Sequence, residues 1–404
     1  MSNQSSSVAA PRLTSLDALR GFDMFWILGG DSIASALKQT SNSGITKLIG
    51  DQLEHVEWAG FHFYDMIFPL FVFIVGVSLV FSLGRAIEQH GRGEALKRVF
   101  KRSLLLFAVA LFYSGGFSTF WPDIRLLGVL NRIALCYFSA SLIYCFVPWR
   151  GMVAICAGLL VGYWALMTFV PFPDTRPVNA AGELVSDKMT ATNTAQLNFA
   201  GTNHLKGVFE PGLNLANYVD SKYLPGKKWD KTWDPEGIIS TLPAIASCLL
   251  GVFAGLFLKN SRVDDRKKVL LLVGIGAASV VAGFAWGTQF PVVKKIWSSS
   301  FVLVAGGYSA ILLGGFYFVV DVLKFQGWCQ PFIWIGMNPI TLYLAENVVG
   351  FRHVASRFLG GDVKIFFDTA VTSGFGDLVL SFGEIGLAIL LAWWLYRRKI
   401  FIRL

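Results

Sequence analysis

Residues 54–76 read EHVEWAGFHFYDMIFPLFVFIVG, with His55 just ahead of a long apolar run and Asp65 a short way into it. An ionisable group is costly to hold in hydrocarbon, so one found there marks function by default. An imidazole takes or gives a proton near neutral pH. The pair therefore points to proton-transfer chemistry at a membrane face. A second polar track precedes it in LDALRGFDMFWILGGDSIASAL, which carries Asp17, Arg20, Asp23 and Asp31. Asp17 and Arg20 are spaced to share a helix face and pair. Asp31 follows Arg20 by about three turns, ~16 Å at a rise of ~1.5 Å per residue, on nearly the same face. The expectation is that Asp31 meets His55 near the outer face, where it would orient the ring and stabilise its protonated form or hold the amine of a substrate. Glu54 and Glu57 are expected to be solvated. Trp58 is either an interfacial anchor or a platform for a sugar. His62 is spaced for a structural hydrogen bond with Asp65.

These residues need elements that hold them at a membrane. Apolar residues make up 54% of the chain and charged ones 15%, with a mean hydropathy of +0.55. That is too apolar for an ordinary soluble domain, and about 20 apolar residues cross a bilayer as one helix. The pattern predicts an all-α, polytopic transmembrane bundle of about ten spans, near 15–37, 61–83, 103–121, 128–148, 152–171, 237–258, 268–288, 299–320, 331–350 and 376–396. Its many glycines suit helix contacts that need small residues. The opening MSNQSSSVAAPR is polar without an apolar core, so no cleavable signal peptide is expected. Residues 1–14 are expected as a cytoplasmic segment, 15–396 as the bundle with an extracytoplasmic loop at 172–236, and 397–404 as a basic cytoplasmic tail.

Basic residues crowd 84–102, 259–268 and the terminal RRKIFIRL. With ten spans these segments share one side, which the positive-inside rule makes cytoplasmic, and both termini with it. The same rule accounts for the formal charge of +9 without a nucleic-acid partner. Arg125, Lys294, Lys295, Arg352 and Arg357 fall on the other face. They are either helix-end anchors or ligand contacts. The loop 172–236 mixes Trp229 and Trp233 with Asn203, His204 and Asp220. Aromatic faces and polar edges suit sugars, and long connections are often functional, though an ordinary loop would read the same way.

Three further segments carry polar groups at apolar runs: NRIALCYF with Asn131 and Arg132, PVVKKIWSSSFVL with paired lysines, Trp297 and serines, and GMNPITLYLAEN with Asn338, Pro339 and Glu346. Proline frees a backbone group in a span, which is tolerated where neighbours or a lined cavity compensate. The five cysteines lie in or beside spans without CxxC spacing and read as packing residues, not disulfides or metal ligands. His204 and His353 read as loop residues. No GxxxxGK[ST], HExxH or convincing GxSxG is present, and no metal site is expected.

The blocks RLTSLDALRGFDMFWILGGD, HVEWAGFHFYDMIFPLFVFIVGVSL, GVLNRIALCYF, DPEGIISTLPAI, KKIWSSSFVL and GMNPITLYL resemble, in order, those of the heparan-α-glucosaminide N-acetyltransferase family. Within it the chain looks most similar to bacterial members tied to N-acetylglucosamine metabolism, some of them labelled transporters. The resemblance implies an acetyl transfer from cytoplasmic acetyl-CoA to the amine of glucosamine or a related amino sugar on the far side of a bacterial inner membrane. The alternative is an amino-sugar or N-acetylglucosamine transporter. The family's essential histidine lies in H-x-x-W-x-G, matched by His55, Trp58 and Gly60. Its functional asparagine on the first span is matched by Asp31, a departure, because a carboxylate cannot donate the hydrogen bonds of an amide. On this reading His55 and Asp31 are the catalytic pair. Cofactor contacts are expected from Arg20, Asp65, Asn131, Arg132, Ser300 and Asn338. Substrate contacts are expected from Trp58, Glu236, Lys295, Trp297 and Glu346. Set against the animal enzyme, the resemblance leads us to expect no large lumenal domain ahead of the bundle, and with it a smaller acceptor. Partners are the amino sugar and the lipid bilayer, with a homodimer left open.

Overall fold

The computed structural model describes residues 13–40, 44–116, 118 and 120–402. Most of the expected N-terminal segment, 1–12, and the last two residues of the tail lie outside them. Helices carry the fold: α1 (Thr14–Thr40), α2 (Gly44–Gln52), α3 (Ile67–Tyr113), α4 (Val129–Phe146), α5 (Trp149–Phe169), α6 (Leu215–Tyr223) and α7 (Thr241–Lys259). They continue with α8 (Asp265–Trp286), α9 (Ser299–Phe316), α10 (Gln330–Met337), α11 (Pro339–Val349), α12 (Phe351–Leu359), α13 (Asp362–Ala370) and α14 (Phe375–Arg397). Strand structure is confined, among the described residues, to one short antiparallel pair, β1 (Phe172–Pro173) with β2 (His204–Leu205), and isolated bridges.

Seven of the described helices are long and apolar enough to cross a membrane. Each of the ten expected spans nonetheless overlaps a helix, although the third, 103–121, runs past the end of α3 at Tyr113. The longest apolar helix, α3, holds two of them, because Gly91 (φ 77°, ψ 167°) breaks the helical backbone inside the exposed basic stretch between its arms. The first expected span, α1, carries too many charges along its length to count as plainly apolar. The ninth is split into α10 and α11 at Asn338–Pro339. Proline at the first position of a helix gives up no bond that helix needs, while it stops the preceding one.

Packing is tightest where glycines face backbone. Gly21 of α1 lies on the Phe332 carbonyl of α10, and Gly336 of α10 lies on the Asp17 carbonyl of α1, so neither position has room for a Cβ. Backbone approach of this kind is how membrane helices gain van der Waals contact when lipid is as apolar as their side chains. The core runs through α3, α4, α7 and α9, with Val72, Leu79, Cys136, Leu249, Phe301 and Val302 all buried.

The ends of the bundle differ. At the start of α1, Arg20 pairs with Asp17 at 3.0 Å. Nearby in the fold, buried Asn338 donates to the carbonyl of Ile400 (3.0 Å) and accepts from the N–H of Ile402 (2.9 Å), which ties the C-terminal tail to the α10–α11 junction. At the other end of α1, the loops 53–62, 224–240 and 287–298 fold together around a cavity.

Candidate active site

The cavity holds about 510 Å³ and is walled by one face each of four helices. Met24, Ile27 and Asp31 come from α1, Ile67, Phe68 and Phe71 from α3, Val129, Leu130 and Ile133 from α4, and Pro339, Ile340 and Tyr343 from α11. Each set follows the three-to-four-residue spacing of a helix face. Arg20 continues the α1 row one turn below Met24 by the same spacing. Those helix faces are mostly apolar, and the charged and titratable groups of the lining include Asp31, His55, Arg125, Glu236, Lys294 and Lys295.

His55 is held by a carboxylate, and that carboxylate is Asp65. His55 Nδ1 and Asp65 Oδ1 lie 2.9 Å apart. The other oxygen of Asp65 accepts the N–H groups of His62 (3.0 Å) and Val56 (3.3 Å), so the carboxylate is fixed from both sides and buried. The hydrogen bond expected between Asp65 and His62 is thus made by the His62 backbone, while the His62 ring turns to the Glu54 carbonyl at 3.1 Å. With Nδ1–H donated to Asp65, His55 keeps a lone pair on Nε2.

Asp31 does not take the place beside the ring that helix arithmetic gave it. It lines the same cavity, but its neighbour is the Tyr64 hydroxyl, and Tyr64 lies against the His55 ring at 4.7 Å between centroids. Register along α1 fixes height and face; it says nothing of how the loop 53–62 lies over them.

Lys294 completes the cluster. Its Nζ is 3.0 Å from both ring nitrogens of His55 and 3.8 Å from Asp65 Oδ1. Since Nδ1 already donates, the acceptor open to this ammonium is Nε2. Burial among these groups pulls the lysine down to about 8, against the opposing pull of Asp65, Glu236 and Asp31. The backbone explains how residues so far apart in sequence meet. Ala59 bridges Val293, and the Gly60 N–H donates to the Val292 carbonyl at 2.9 Å. Gly60 takes φ 131° to do so, which gives the glycine of the H-x-x-W-x-G run a structural reason. On the other loop Trp297 adopts φ 50°, closing a tight turn with its N–H on the Lys294 carbonyl at 2.9 Å. A bulky residue held in the left-handed region is strain that surrounding structure must enforce. Here Trp297 is buried, and its indole N–H donates to Ser247 at 3.0 Å.

The opposite wall is a charged network. Arg125 grips Asp234 with two hydrogen bonds, 2.8 and 2.7 Å, and reaches Glu236 at 2.7 Å. Its guanidinium also lies 4.9 Å from the ring of exposed Trp229. Burial raises the Glu236 carboxyl above its ordinary range while Arg132 and Arg125 hold it down, so a further cation at that carboxylate would be welcomed.

The remaining expected site residues divide by place. Glu236, Lys295 and Trp297 line the cavity with His55 and Asp31. Trp58 stands just outside, in a neighbouring groove with Trp233 and Asp230, its indole donating to the Phe209 carbonyl at 2.8 Å. Arg132 is buried behind the wall, stacked 4.9 Å from Trp297 and donating to the Pro235 carbonyl at 2.9 Å. Asn131 lies beside it and reaches the Phe107 carbonyl at 3.4 Å. Ser300 is buried and donates to the Phe290 carbonyl at 2.6 Å. Asn338 holds the tail, Arg20 pairs with Asp17, and Glu346 accepts the Phe351 N–H at 3.3 Å where α11 meets α12. None of these last six lines the cavity. Tyr64, Tyr113 and Tyr343 do, and nothing in their sequence spacing singled them out; Tyr113 and Tyr343 stack at 4.4 Å.

Residues 12–192 match the family model described as "Heparan-alpha-glucosaminide N-acetyltransferase, catalytic". That stretch includes Asp31, His55 and Asp65 but ends before Glu236 and Lys294. The heparan-alpha-glucosaminide N-acetyltransferase of Mus musculus is 26% identical over 341 residues, 73% of this chain and 49% of the relative. The enzyme of that name from Homo sapiens is 26% identical over 391 residues, 85% of this chain and 54% of the relative. The chain thus spans about half the length of the curated relatives it matches.

Proposed function

We propose that the cavity of this chain, which is similar to the heparan-alpha-glucosaminide N-acetyltransferases along much of its length, transfers acetyl from acetyl-CoA to the amine of glucosamine or a related amino sugar. The observation that carries this is His55, on the cavity wall, oriented by Asp65 and with the Lys294 amine lying 3.0 Å from its ring nitrogens. Asp65 holds the tautomer and favours the imidazolium that forms during transfer. The attacking nitrogen forms its bond to the acetyl carbon while Nε2 takes its proton. The C–S bond breaks, and the proton passes to the leaving thiolate. Glu236 and Asp31 are the carboxylates placed to hold the incoming ammonium before it reacts.

The geometry also suits the donor. The apolar lower walls from Met24 to Phe71 and Ile340 would accept the pantetheine arm, and the Arg20 row on α1 leads toward the basic end of the bundle. This supports a donor entering from the side of segments 84–102 and 259–268, which we assign to the cytoplasm by the positive-inside rule, with both termini on that side of a bacterial inner membrane. In a cysteine-free background, a cysteine at position 210 should then be labelled from outside and one at 93 should not.

Proteoliposomes loaded with acetyl-CoA test the activity and its sidedness together. Glucosamine added outside should appear as N-acetylglucosamine outside, with stoichiometric release of coenzyme A inside. Entry of unmodified sugar without coenzyme A release would favour transport and reject the proposal.

A further inference from the structure

We propose that Lys294 is itself an acetyl acceptor: when no amino sugar fills the cavity, its ε-amine takes the acetyl group from acetyl-CoA, and the resulting amide switches the site off. The inference rests on the acetyl-transfer reading of the cavity. It starts from position. A site built to activate an amine at the His55 imidazole holds one of its own there, with Nζ 3.0 Å from each ring nitrogen, on the cavity lining. The side chain keeps 22% of its surface exposed, so it faces the space the donor must enter.

The neighbouring lysine shows how specific this placement is. Lys295 turns away to an ion pair with Asp230 at 3.0 Å and lies 5.8 Å from the Trp233 ring. Lys294 has His55 and Asp65 on one side, Glu236 across the cavity and Asp31 on α1. Despite those three carboxylates, burial keeps it near 8. A lysine at about 8 is roughly one-tenth neutral at pH 7 and about half neutral at pH 8. An ordinary surface lysine is neutral less than about one part in a thousand at pH 7. Lys294 thus resembles the sugar amine both in place and in availability.

The step balances without a further reagent. The neutral ε-nitrogen attacks the thioester carbonyl, an N–C bond forms and the C–S bond breaks. Nε2 of His55 takes the proton from nitrogen and returns it to the departing thiolate, which leaves as coenzyme A thiol. The product is an amide, far less reactive than a thioester, so Lys294 would not hand the acetyl group on. It would carry a neutral acetamide against His55 and remove the positive charge that lies 3.8 Å from Asp65. Acetylation would therefore be a brake that engages when donor is abundant and acceptor scarce, and bound acceptor would protect against it.

The test is peptide mass mapping of the purified full-length protein after incubation with acetyl-CoA and no amine. One acetyl group should appear on Lys294 and not on Lys295, about tenfold faster at pH 9 than at pH 7. Saturating glucosamine should suppress it, and His55→Ala should slow it by at least tenfold. Activity lost during such preincubation should be lost in step with the label, and Lys294→Arg should resist that time-dependent loss. A protein that acetylates glucosamine while Lys294 stays unmodified overturns this inference and leaves the transferase reading intact. Labelling of Lys294 with no acetylation of any amino sugar would keep the inference and overturn the acceptor assignment. Equal labelling of Lys294 in the presence and absence of His55 would show unassisted chemistry and also reject it.

Discussion

The two ends of α1 carry polar groups of the same types and use them differently. At one end Asp17 pairs with Arg20, and Asn338 spends both ends of its amide on the tail backbone. Those groups meet protein partners and hold elements together. At the other end His55, Lys294, Glu236 and Arg125 also have partners, yet all face one cavity. There Lys294 lies 3.0 Å from both ring nitrogens of His55 and 3.8 Å from Asp65, while Glu236 pairs with Arg125. Polar residues inside a membrane are expensive in either case. The difference is whether the partner is backbone that never leaves or a space that a ligand can fill.

If the cavity end is the working end, substitutions there should cost activity more than fold. Asp65→Asn keeps the size of the side chain but loses the charge and allows the wrong imidazole tautomer. Turnover should fall by about 10²- to 10⁴-fold, measured as glucosamine-dependent coenzyme A release, with the protein still folded. A loss under about fivefold would break the assignment. Glu236→Gln should act mainly on acceptor binding, raising the KM for glucosamine by about tenfold, the scale of one charge-assisted hydrogen bond. A change confined to the KM for acetyl-CoA would move Glu236 to the donor side of the cavity.

The structural end makes the reverse forecast. Asn338→Ala should release the tail and lower Tm by several degrees, about 1–2 kcal/mol of lost hydrogen bonding, while turnover falls less than tenfold. A Tm unchanged within error would mean that the clamp holds nothing. The smallest effect concerns Asp220, buried on α6 and accepting the Ile238 N–H at 2.8 Å. Burial pushes this carboxyl up to about 7 in the fold, from an ordinary value of 3.8. The folded chain then binds more protons than the unfolded one between those values, so this group's contribution to stability falls as pH rises from about 4 to about 7. Asp220→Asn should accordingly raise Tm by a few degrees at pH 8 and hardly at all at pH 4. The opposite trend would show that the charged form is the one the fold prefers.

Much of this contrast can be seen in the sequence. Ten apolar runs anticipated the helices that build the bundle, because span length and hydropathy are local properties. The places where simple counting and structure part are local too: charges along α1, a glycine break in α3, and a proline junction after Asn338. His55 stood out as a titratable group at the mouth of an apolar run, and Asp65 as a carboxylate within one. Their pairing was not legible, because it depends on how loop 53–62 turns back onto the start of α3. Lys294 was visible as one of five basic residues on the wrong side of the charge rule and as half of a lysine pair ahead of an apolar run, with nothing to tie it to His55. Its meeting with His55 is made by the Ala59–Val293 bridge and the strained turn at Trp297, neither of which has a periodic signal. Arg125 and Glu236 met for the same reason, across a long loop whose path no spacing dictates.

The most direct test of the central claim compares the wild-type protein and His55→Ala in one assay, with purified protein in nanodiscs, acetyl-CoA and glucosamine. The wild type should release coenzyme A and form N-acetylglucosamine in equal amounts. His55→Ala should bind acetyl-CoA with similar affinity and melt at a similar temperature, yet form product at least about 10³ times more slowly. Product formation by folded His55→Ala at a rate near that of the wild type would contradict the account.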